Sequence, residues 1–214
     1  MATRRARSDE DKLARRSQIL DAACAVFDAG EVDEFTMEAV AAELDLVKGT
    51  LYRYFPTREG LLLALADDEY QHWFDRIDAA LATPPAGDRF DTMARALVDQ
   101  TLAEPRFLRL AALVPSVLER NVPFETAMQY KCGLMDRGRR TTELVAAWLQ
   151  TSDARAGQLL IHLQAISTGL YHAANPAPII VRVQSDPAYP GRRPDLRAEL
   201  MHAARALVQA ASSR

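Results

Sequence analysis

The stretch FTMEAVAAELDLVKGTLYRYF, residues 35–55, decides the fold. Apolar residues recur in it at spacings of three and four, which predicts two short helices joined by a tight turn. Thr36 is suited to cap the first helix, and Asp45 marks its end because aspartate tolerates turn geometry. The second helix is expected over about 47–55, since Pro56 cannot continue it. Elements in this order form a helix-turn-helix pattern.

A longer helix precedes this pattern and is expected to end near Gly30. Its residues Ile19, Ala23, Val26 and Phe27 fall on one face. Two short helices that meet at a steep angle need a third to bury their backs, and this helix supplies it. The three together can place one exposed helix in the major groove of DNA, which is wide enough to accept it.

A helical wheel divides the last of the three helices into two sides. Val47, Leu51 and Phe55 are four residues apart and are predicted to turn inward. The outward and flanking positions carry cations, hydroxyl groups and a glycine, which suit contact with DNA. Two residues outside this helix join them: Thr36, at the start of the preceding helix, and Arg58, beyond Pro56. The candidate DNA-binding residues are Thr36, Lys48, Gly49, Thr50, Tyr52, Arg53, Tyr54 and Arg58.

The chemistry of each side chain suggests its role. Lys48 is a compact cation suited to a phosphate, and Arg53 is the best candidate for a bidentate contact to a guanine edge. Gly49 lets the backbone approach closely, and Thr50 offers a hydroxyl and a methyl to a phosphate or to the methyl of thymine. The alternative is that this surface, with two tyrosines and two cations, is a solvated face without a partner.

The rest of the chain is also predicted to be helical, because β-branched runs of period two are almost absent. A fourth helix begins after Thr57 and continues to about residue 81. The segment 175–194 carries five of the eleven prolines and is expected to be an extended loop with room for a short turn of helix. The remaining helices are expected at about 88–103, 105–119, 124–150, 153–174 and 195–211, the second of them kinked or split at Pro115. The prediction is an all-α chain of about nine helices, divided loosely inside the fourth helix into domains 10–60 and 61–214.

Composition indicates a soluble globular protein and excludes wholesale disorder. The chain has 214 residues, 49% hydrophobic and 26% charged, and its net charge of −3 means that DNA binding must depend on where the charges lie. It has no apolar run near the ~18 residues that a membrane span needs, and no apolar leader. Cys24 and Cys132 are interpreted as reduced core thiols of a cytoplasmic protein.

Residues 15–65 resemble the DNA-binding domain of the tetracycline-repressor (TetR) family of bacterial regulators. The matching pieces are RSQILDAACAVFDAG, FTMEAVAAEL and KGTLYRYFPTREGLLLAL, with the spacing between them. The resemblance implies an all-α homodimer with a helix-turn-helix domain and a ligand-binding and dimerisation domain. It implies a repressor that binds a palindromic operator in the bacterial cytoplasm and leaves it when a small inducer binds.

The resemblance also assigns roles at matching positions. It implies phosphate contacts for Thr36, Lys48, Thr50, Tyr52, Tyr54 and Arg58, and base contacts for Lys48, Gly49, Thr50 and Arg53. The chain departs from the usual pattern twice. Asp45 stands where glycine is common, and Val47 stands where a small polar residue often caps the helix. These departures bear on DNA affinity and operator sequence.

The second domain carries no strong motif. The resemblance implies that its last two long helices, about 153–174 and 195–211, form the dimer interface, although their apolar stripes also suit a core. Within the helices of this domain that should otherwise be apolar, polar or soft residues are candidate contacts for a largely hydrophobic inducer. They are Phe107, Met128, Cys132, Met135, Trp148, His162, Gln164 and Tyr171.

The sequence predicts neither a metal site nor an enzyme, and no cofactor. His162 and His172 are ten residues apart on one helix, roughly 15 Å along its axis, and cannot share an ion within one chain. No phosphate loop or nucleophile elbow is present. The expected partners are double-stranded operator DNA, a small inducer and a second copy of the chain, without a membrane. An alternative function keeps the fold: a DNA-bound adaptor that recruits another protein and has no inducer.

Overall fold

The computed structural model describes residues 2–83 and 87–212, and the side chains of these residues except 2–9, 116 and 117. Within them the chain forms ten α-helices and no strand, so the all-α class is confirmed. The chain divides into two compact units, with boundaries inside the fourth helix, after Leu113 and inside the seventh helix. The N-terminal unit comprises Met1–Asp68 and Val114–Tyr130, and the C-terminal unit comprises Glu69–Leu113 and Lys131–Arg214.

The helices match the predicted order and add one short element. They are α1 Ala2–Ala29, α2 Met37–Glu43, α3 Lys48–Tyr52, α4 Arg58–Leu81, α5 Arg89–Leu102, α6 Pro105–Leu113, α7 Phe124–Leu149, α8 Asp153–Ala174, α9 Pro178–Gln184 and α10 Leu196–Ser212. The extra element is α9, which lies in the proline-rich segment and begins on Pro178, where the missing N–H costs nothing.

Local capping explains the short helices of the N-terminal unit. The backbone N–H of Ala39 donates to the Thr36 hydroxyl at 3.1 Å, so Thr36 caps α2 as predicted. Asp45 has φ 51°, a left-handed conformation that glycine adopts without strain and that aspartate tolerates. The turn before α2 is a short 3-10 helix, Val32–Glu34.

The core of the N-terminal unit forms where α1 packs on α2 and α2 packs on α3. Leu51 and Phe55 are buried as predicted, and Phe27 meets Phe35 edge to face at 6.0 Å between ring centroids. The inward orientation predicted for Val47 is wrong, since its side chain is 78% exposed. Val47 is the N-cap of α3, with φ −68° and ψ 133°, so it precedes the first helical turn and the helical wheel does not apply to it.

The helix expected over 105–119 is divided at its proline. The α-helical part, α6, ends at Leu113, and a π-helical turn, Val114–Leu118, follows. Pro115 has no N–H to donate to the preceding turn, and its ring clashes with the carbonyl four residues back. The chain widens instead, and the N–H of Glu119 donates to the carbonyl of Val114 at 3.0 Å, five residues away.

The C-terminal unit has its own apolar core. Helix α10 packs against α5 and α8, and α6 packs against α5 and α8. Aromatic side chains of α4 and α6 fill the centre, where Trp73 stacks on Phe107 at 5.4 Å and Tyr70 meets Phe107 edge to face at 5.1 Å. In the part of the chain that the structure describes, no helix is both long and apolar enough to cross a membrane.

The cysteine prediction is partly wrong. Within the described residues the two cysteines form no disulfide. Cys24 is half-buried, whereas Cys132 is exposed. Cys132 lies on α7 at a position that turns away from the core, so it is not a core thiol.

Candidate nucleic-acid interface

The outer side of α3 presents the predicted residues to solvent. Lys48, Gly49, Tyr52 and Arg53 are exposed, and Thr50 and Tyr54 are half-buried on the flanks, as the wheel predicted. A Cβ atom added to Gly49 would meet nothing within 4 Å, so the surface around it is open. This side of α3 carries two cations and no anion of its own.

Lys48 already has a partner of opposite charge. Its ammonium forms a hydrogen-bonded ion pair with the carboxylate of Glu38 on α2, and lies 5.5 Å from the centroid of the Tyr52 ring. Both members of the ion pair are well exposed, and exposed pairs of this kind stabilise a fold by only about 0–1 kcal/mol. Lys48 can therefore exchange this carboxylate for a phosphate at small cost.

Arg58 has an internal role that its sequence position did not reveal. Its Nε donates to the carbonyl of Phe35 at 2.6 Å, and its Nη2 donates to the carbonyl of Val32. The guanidinium also lies 5.9 Å from the centroid of the Phe35 ring. Only 28% of the side chain is exposed. Arg58 thus ties the turn before α2 to the start of α4, and its predicted phosphate contact stays a prediction.

Thr36 remains accessible beside α2. It is exposed, and its oxygen accepts the capping hydrogen bond from Ala39 while its hydroxyl proton is left to donate. The predicted DNA contact of Thr36 therefore requires no break in the cap.

The predicted inducer contacts do not share one enclosed space. Met128, Cys132, Met135 and His162 are exposed instead of enclosed, because they lie on the outer faces of α7 and α8. Trp148 and Tyr171 are half-buried, and the indole N–H of Trp148 donates to the carbonyl of Leu81 at 2.8 Å. Met128 belongs to the N-terminal unit and the others belong to the C-terminal unit.

Phe107 and Gln164 do meet, at a narrow crevice in the C-terminal unit. The crevice is too narrow to hold a water molecule. Its lining is mainly apolar and comprises Trp73, Thr101, Phe107, Leu108, Ala111, Gln164, Ser167 and Thr168. The geometry thus brings together two of the eight predicted contacts.

The indole and hydroxyl groups around the crevice form hydrogen bonds within the unit. The indole N–H of Trp73 donates to the Thr101 hydroxyl at 3.1 Å, and that hydroxyl donates to the carbonyl of Leu97 at 2.7 Å. The Ser167 hydroxyl donates to the carbonyl of Leu163 at 2.7 Å. These hydroxyl oxygens keep lone pairs that an incoming donor can use.

One buried charged pair was missed from the sequence. Glu69 is almost fully buried and accepts a hydrogen bond from Nε of Arg106 at 2.8 Å, while its second carboxylate oxygen has no hydrogen-bond partner. A glutamate directly before the aromatic run of α4 was the only signal in the sequence, and it is weak. No group of three or more histidine, cysteine or carboxylate side chains in the described part of the chain is arranged to hold a metal ion.

Family models match both parts of the chain. A model described as bacterial regulatory proteins, tetR family, matches residues 19–65, and one described as tetracyclin repressor-like, C-terminal domain, matches residues 67–214. The chain belongs to the TetR family. As a TetR-family regulator it is not an enzyme.

The curated relatives are repressors that match over part of their length. The HTH-type transcriptional repressor KstR of Rhodococcus jostii is 38% identical over 92 residues, which cover 43% of this chain and 42% of that protein. KstR of Mycolicibacterium smegmatis is 43% identical over 70 residues, covering 33% and 32%. The chain thus matches less than half the length of these relatives.

Solved structures share the fold over nearly the whole chain. A possible TetR-family regulator from Streptomyces coelicolor superposes with a TM-score of 0.57 at 20% identity, covering 91% of this chain and 97% of that one. A regulator from Mesorhizobium loti gives 0.52 at 19% identity, covering 93% and 95%. At this identity the likeness concerns the fold alone.

Proposed function

We propose that this TetR-family protein is a transcriptional repressor that binds a near-palindromic operator as a homodimer. A small, largely hydrophobic inducer binds the C-terminal unit and releases the DNA. The observation that carries the DNA-binding part is the outer side of α3, where Lys48, Tyr52 and Arg53 are exposed around a glycine that leaves the surface open.

The chemistry of this surface fits a duplex better than a solvated face. Lys48 supplies a compact positive charge for a phosphate, and Arg53 supplies the planar fork that matches the O6 and N7 atoms of guanine. Lys48 begins α3 and Arg53 caps its end, and the outer side of this helix carries no carboxylate. Two such helices, one from each subunit, would enter successive major grooves about 34–36 Å apart.

The homodimer is supported by exposed small and apolar residues on α8 and α10. On α8, Ile161 is 64% exposed, and it lies in line with the exposed residues Ala165, Gly169 and Ala173. On α10, the exposed residues Ala198, Ala206 and Ala210 follow the same four-residue spacing, with His202 as the polar member of the row. Stripes of this kind let two helices approach closely and bury apolar surface.

A charge placed in the α8 stripe tests the dimer. Ile161→Asp should yield monomers in light scattering, and operator affinity should fall with it because one subunit reaches only one half-site. Phe124→Asp adds the same charge at a site that is 71% exposed in the N-terminal unit, and should stay dimeric. A dimeric Ile161→Asp variant would contradict this interface.

The inducer is proposed to enter the crevice at Phe107 and Gln164. The crevice is too narrow for a water molecule, so an inducer must stabilise a conformation in which it is open. Its mainly apolar lining with a few hydroxyl and amide groups suits a hydrophobic compound with one or two polar handles.

The narrow crevice also supports a second candidate function, a DNA-bound adaptor without an inducer. Helix α9 has no buried residue and exposes four apolar side chains, Ile179, Ile180, Val181 and Val183. A filled unit with an exposed apolar patch suits the recruitment of another protein.

Selection of bound duplexes from a random pool at low ionic strength tests the central proposal. A near-palindromic sequence should be enriched, and six neutralised phosphates would give a log–log salt slope of roughly −5. Failure to enrich any sequence would overturn the repressor and the adaptor together.

A screen for compounds that release the selected duplex then separates the two. Released DNA supports the repressor, and the variant Ala111→Val, which narrows the crevice, should reduce that release more than it reduces operator affinity. If no apolar or amphipathic compound releases the DNA, the adaptor is favoured.

A further inference from the structure

Val47 exposes an apolar side chain at the start of α3, the helix proposed to read DNA. At 78% it is the most exposed of the large apolar side chains identified in the described part of the chain. Its backbone carbonyl accepts from the N–H of Thr50 at 2.8 Å and so begins α3, but its side chain makes no capping hydrogen bond. A serine or threonine here would cap the helix and stabilise it, so valine at this position lacks a structural reason.

The surroundings of Val47 leave its methyl groups open to an approaching surface. The next two residues, Lys48 and Gly49, are both exposed, and Gly49 has no side chain to cover its neighbour. In a helix-turn-helix, the residues at the N-terminal end of the second helix are those that reach the base edges. Val47 therefore belongs to the surface that would face the floor of the major groove.

We propose that Val47 reads thymine in the operator, through contact between its isopropyl group and the 5-methyl group of that base. Thymine alone offers an apolar group in the major groove, whereas the other base edges there carry hydrogen-bond donors and acceptors. This inference rests on the proposed DNA-binding function and adds a specificity-determining residue to it.

Thr50 is the competing candidate for the same contact. Its side chain also has a methyl group, but it is half-buried on the flank of α3, while Val47 stands clear of the chain. The geometry therefore favours Val47 for the apolar contact and leaves the Thr50 hydroxyl for a phosphate.

The test uses the full chain and the operator recovered by selection. Each thymine of the half-site is replaced in turn by uracil, which lacks only the 5-methyl group. At one position of each half-site, the wild-type protein should lose affinity about fourfold, the effect of exposing roughly one methyl group, and more than tenfold when both half-sites are changed.

The variant Val47→Ala provides the decisive comparison. Alanine is as poor an N-cap as valine, so the variant removes the isopropyl group without changing the cap, and because Val47 is exposed no core contact is lost. It should bind the thymine and uracil operators equally, within about twofold. The variant Thr50→Ser, which removes only the methyl of Thr50, should keep the wild-type preference for thymine.

Each result has a distinct meaning. If uracil has no effect at any position, or if Val47→Ala keeps the thymine preference, the inference is wrong while DNA binding stands. Loss of the thymine preference in Thr50→Ser alone would assign the contact to Thr50. If selection recovers no operator, the proposed function fails, and this inference fails with it.

Discussion

The outer side of α3 and the crevice of the C-terminal unit pose opposite problems of recognition. DNA presents fixed phosphates and base edges, so its reader must expose particular cations and hydroxyl groups, and α3 exposes Lys48, Tyr52 and Arg53. The proposed apolar inducer would need only a matching shape and an apolar surface, and Phe107 and Leu108, which are also core residues, would supply them. A DNA-binding site can therefore be predicted from the types of residue in the sequence, whereas an inducer site can be identified only from how side chains pack in the structure.

The largest expected effect is a loss of stability on truncation of a core side chain that makes no proposed DNA contact. Leu97 is fully buried in the C-terminal core, and Leu97→Ala should lower the free energy of unfolding by about 2–5 kcal/mol because it leaves a cavity. The measurement is denaturant unfolding. Leu13→Ala removes the same atoms from a side chain that is 67% exposed and should have almost no effect. Equal losses for the two variants would mean that Leu97 is not a core residue.

The next largest effect is a loss of DNA affinity on truncation of exposed side chains that do not contribute to the core. Arg53→Ala should cost about 1–3 kcal/mol per half-site and relax the base preference at one position, with the melting temperature unchanged. Lys48→Ala should instead weaken all sequences alike and reduce the steepness of the salt dependence. Binding titrations on the selected operator and its single-base variants measure both.

Arg139→Ala is the matched control for these two variants. Arg139 is exposed on α7 and forms an ion pair with Asp136 at 2.7 Å, so its removal should leave operator affinity unchanged. If Lys48→Ala altered the base preference while Arg53→Ala did not, the two roles would be reversed.

A smaller effect is expected at Asp45, where strain and charge coincide. With φ at 51°, aspartate pays a small cost that glycine avoids, so Asp45→Gly should stabilise the protein by about 0.5 kcal/mol. It should also raise operator affinity, because it removes a negative charge beside α3. Asp45→Asn removes the charge and keeps a side chain that tolerates this conformation, so it should raise affinity alone. Unchanged affinity in both variants would place Asp45 away from the DNA.

Regular patterns in the sequence were sufficient to predict most of the fold. The cap at Thr36, the stop at Asp45 and the burial of Leu51 and Phe55 follow from local rules that tertiary packing did not override. Pro115 predicts the break that follows Leu113, but not its π-helical form, which depends on the hydrogen bond from the N–H of Glu119 to the carbonyl of Val114.

Side-chain environments were harder to predict, because they depend on contacts between distant residues. The helical wheel predicts an inward Val47 because it treats Val47 as part of the helix, whereas α3 begins one residue later, at Lys48. Arg58 was assigned to a phosphate, but the carbonyls of Val32 and Phe35, more than twenty residues away, hold its guanidinium. Cys132 and Met135 have residue types common in cores, yet both are exposed, and the residues of their helix that face the core are Leu134, Val145 and Leu149.

The smallest expected effect lies at the contact between α5 and α10, which neither DNA nor inducer touches in the proposed function. Asp91 on α5 accepts hydrogen bonds from Arg95 at 2.6 Å and from Arg205 of α10 at 2.9 Å. These hydrogen bonds, the one from Arg95 first, hold the pKa of Asp91 below its ordinary value of 3.8. Because the pKa of Asp91 is lower in the folded protein than in the unfolded chain, its stabilising effect is complete at a pH above the unfolded-state pKa. That effect is lost as the pH falls through the folded-state pKa.

The variant Asp91→Asn should therefore lower the melting temperature slightly at neutral pH, and by less and less below pH 3.8. The effect is small because both arginines are more than half exposed and water screens their charges. Asp99→Asn removes a more exposed ion pair between the same two helices and should cost less still. A difference between wild type and Asp91→Asn that grows as the pH falls would show that the Asp91 carboxylate destabilises the fold. Unchanged operator affinity would confirm that this contact serves packing alone.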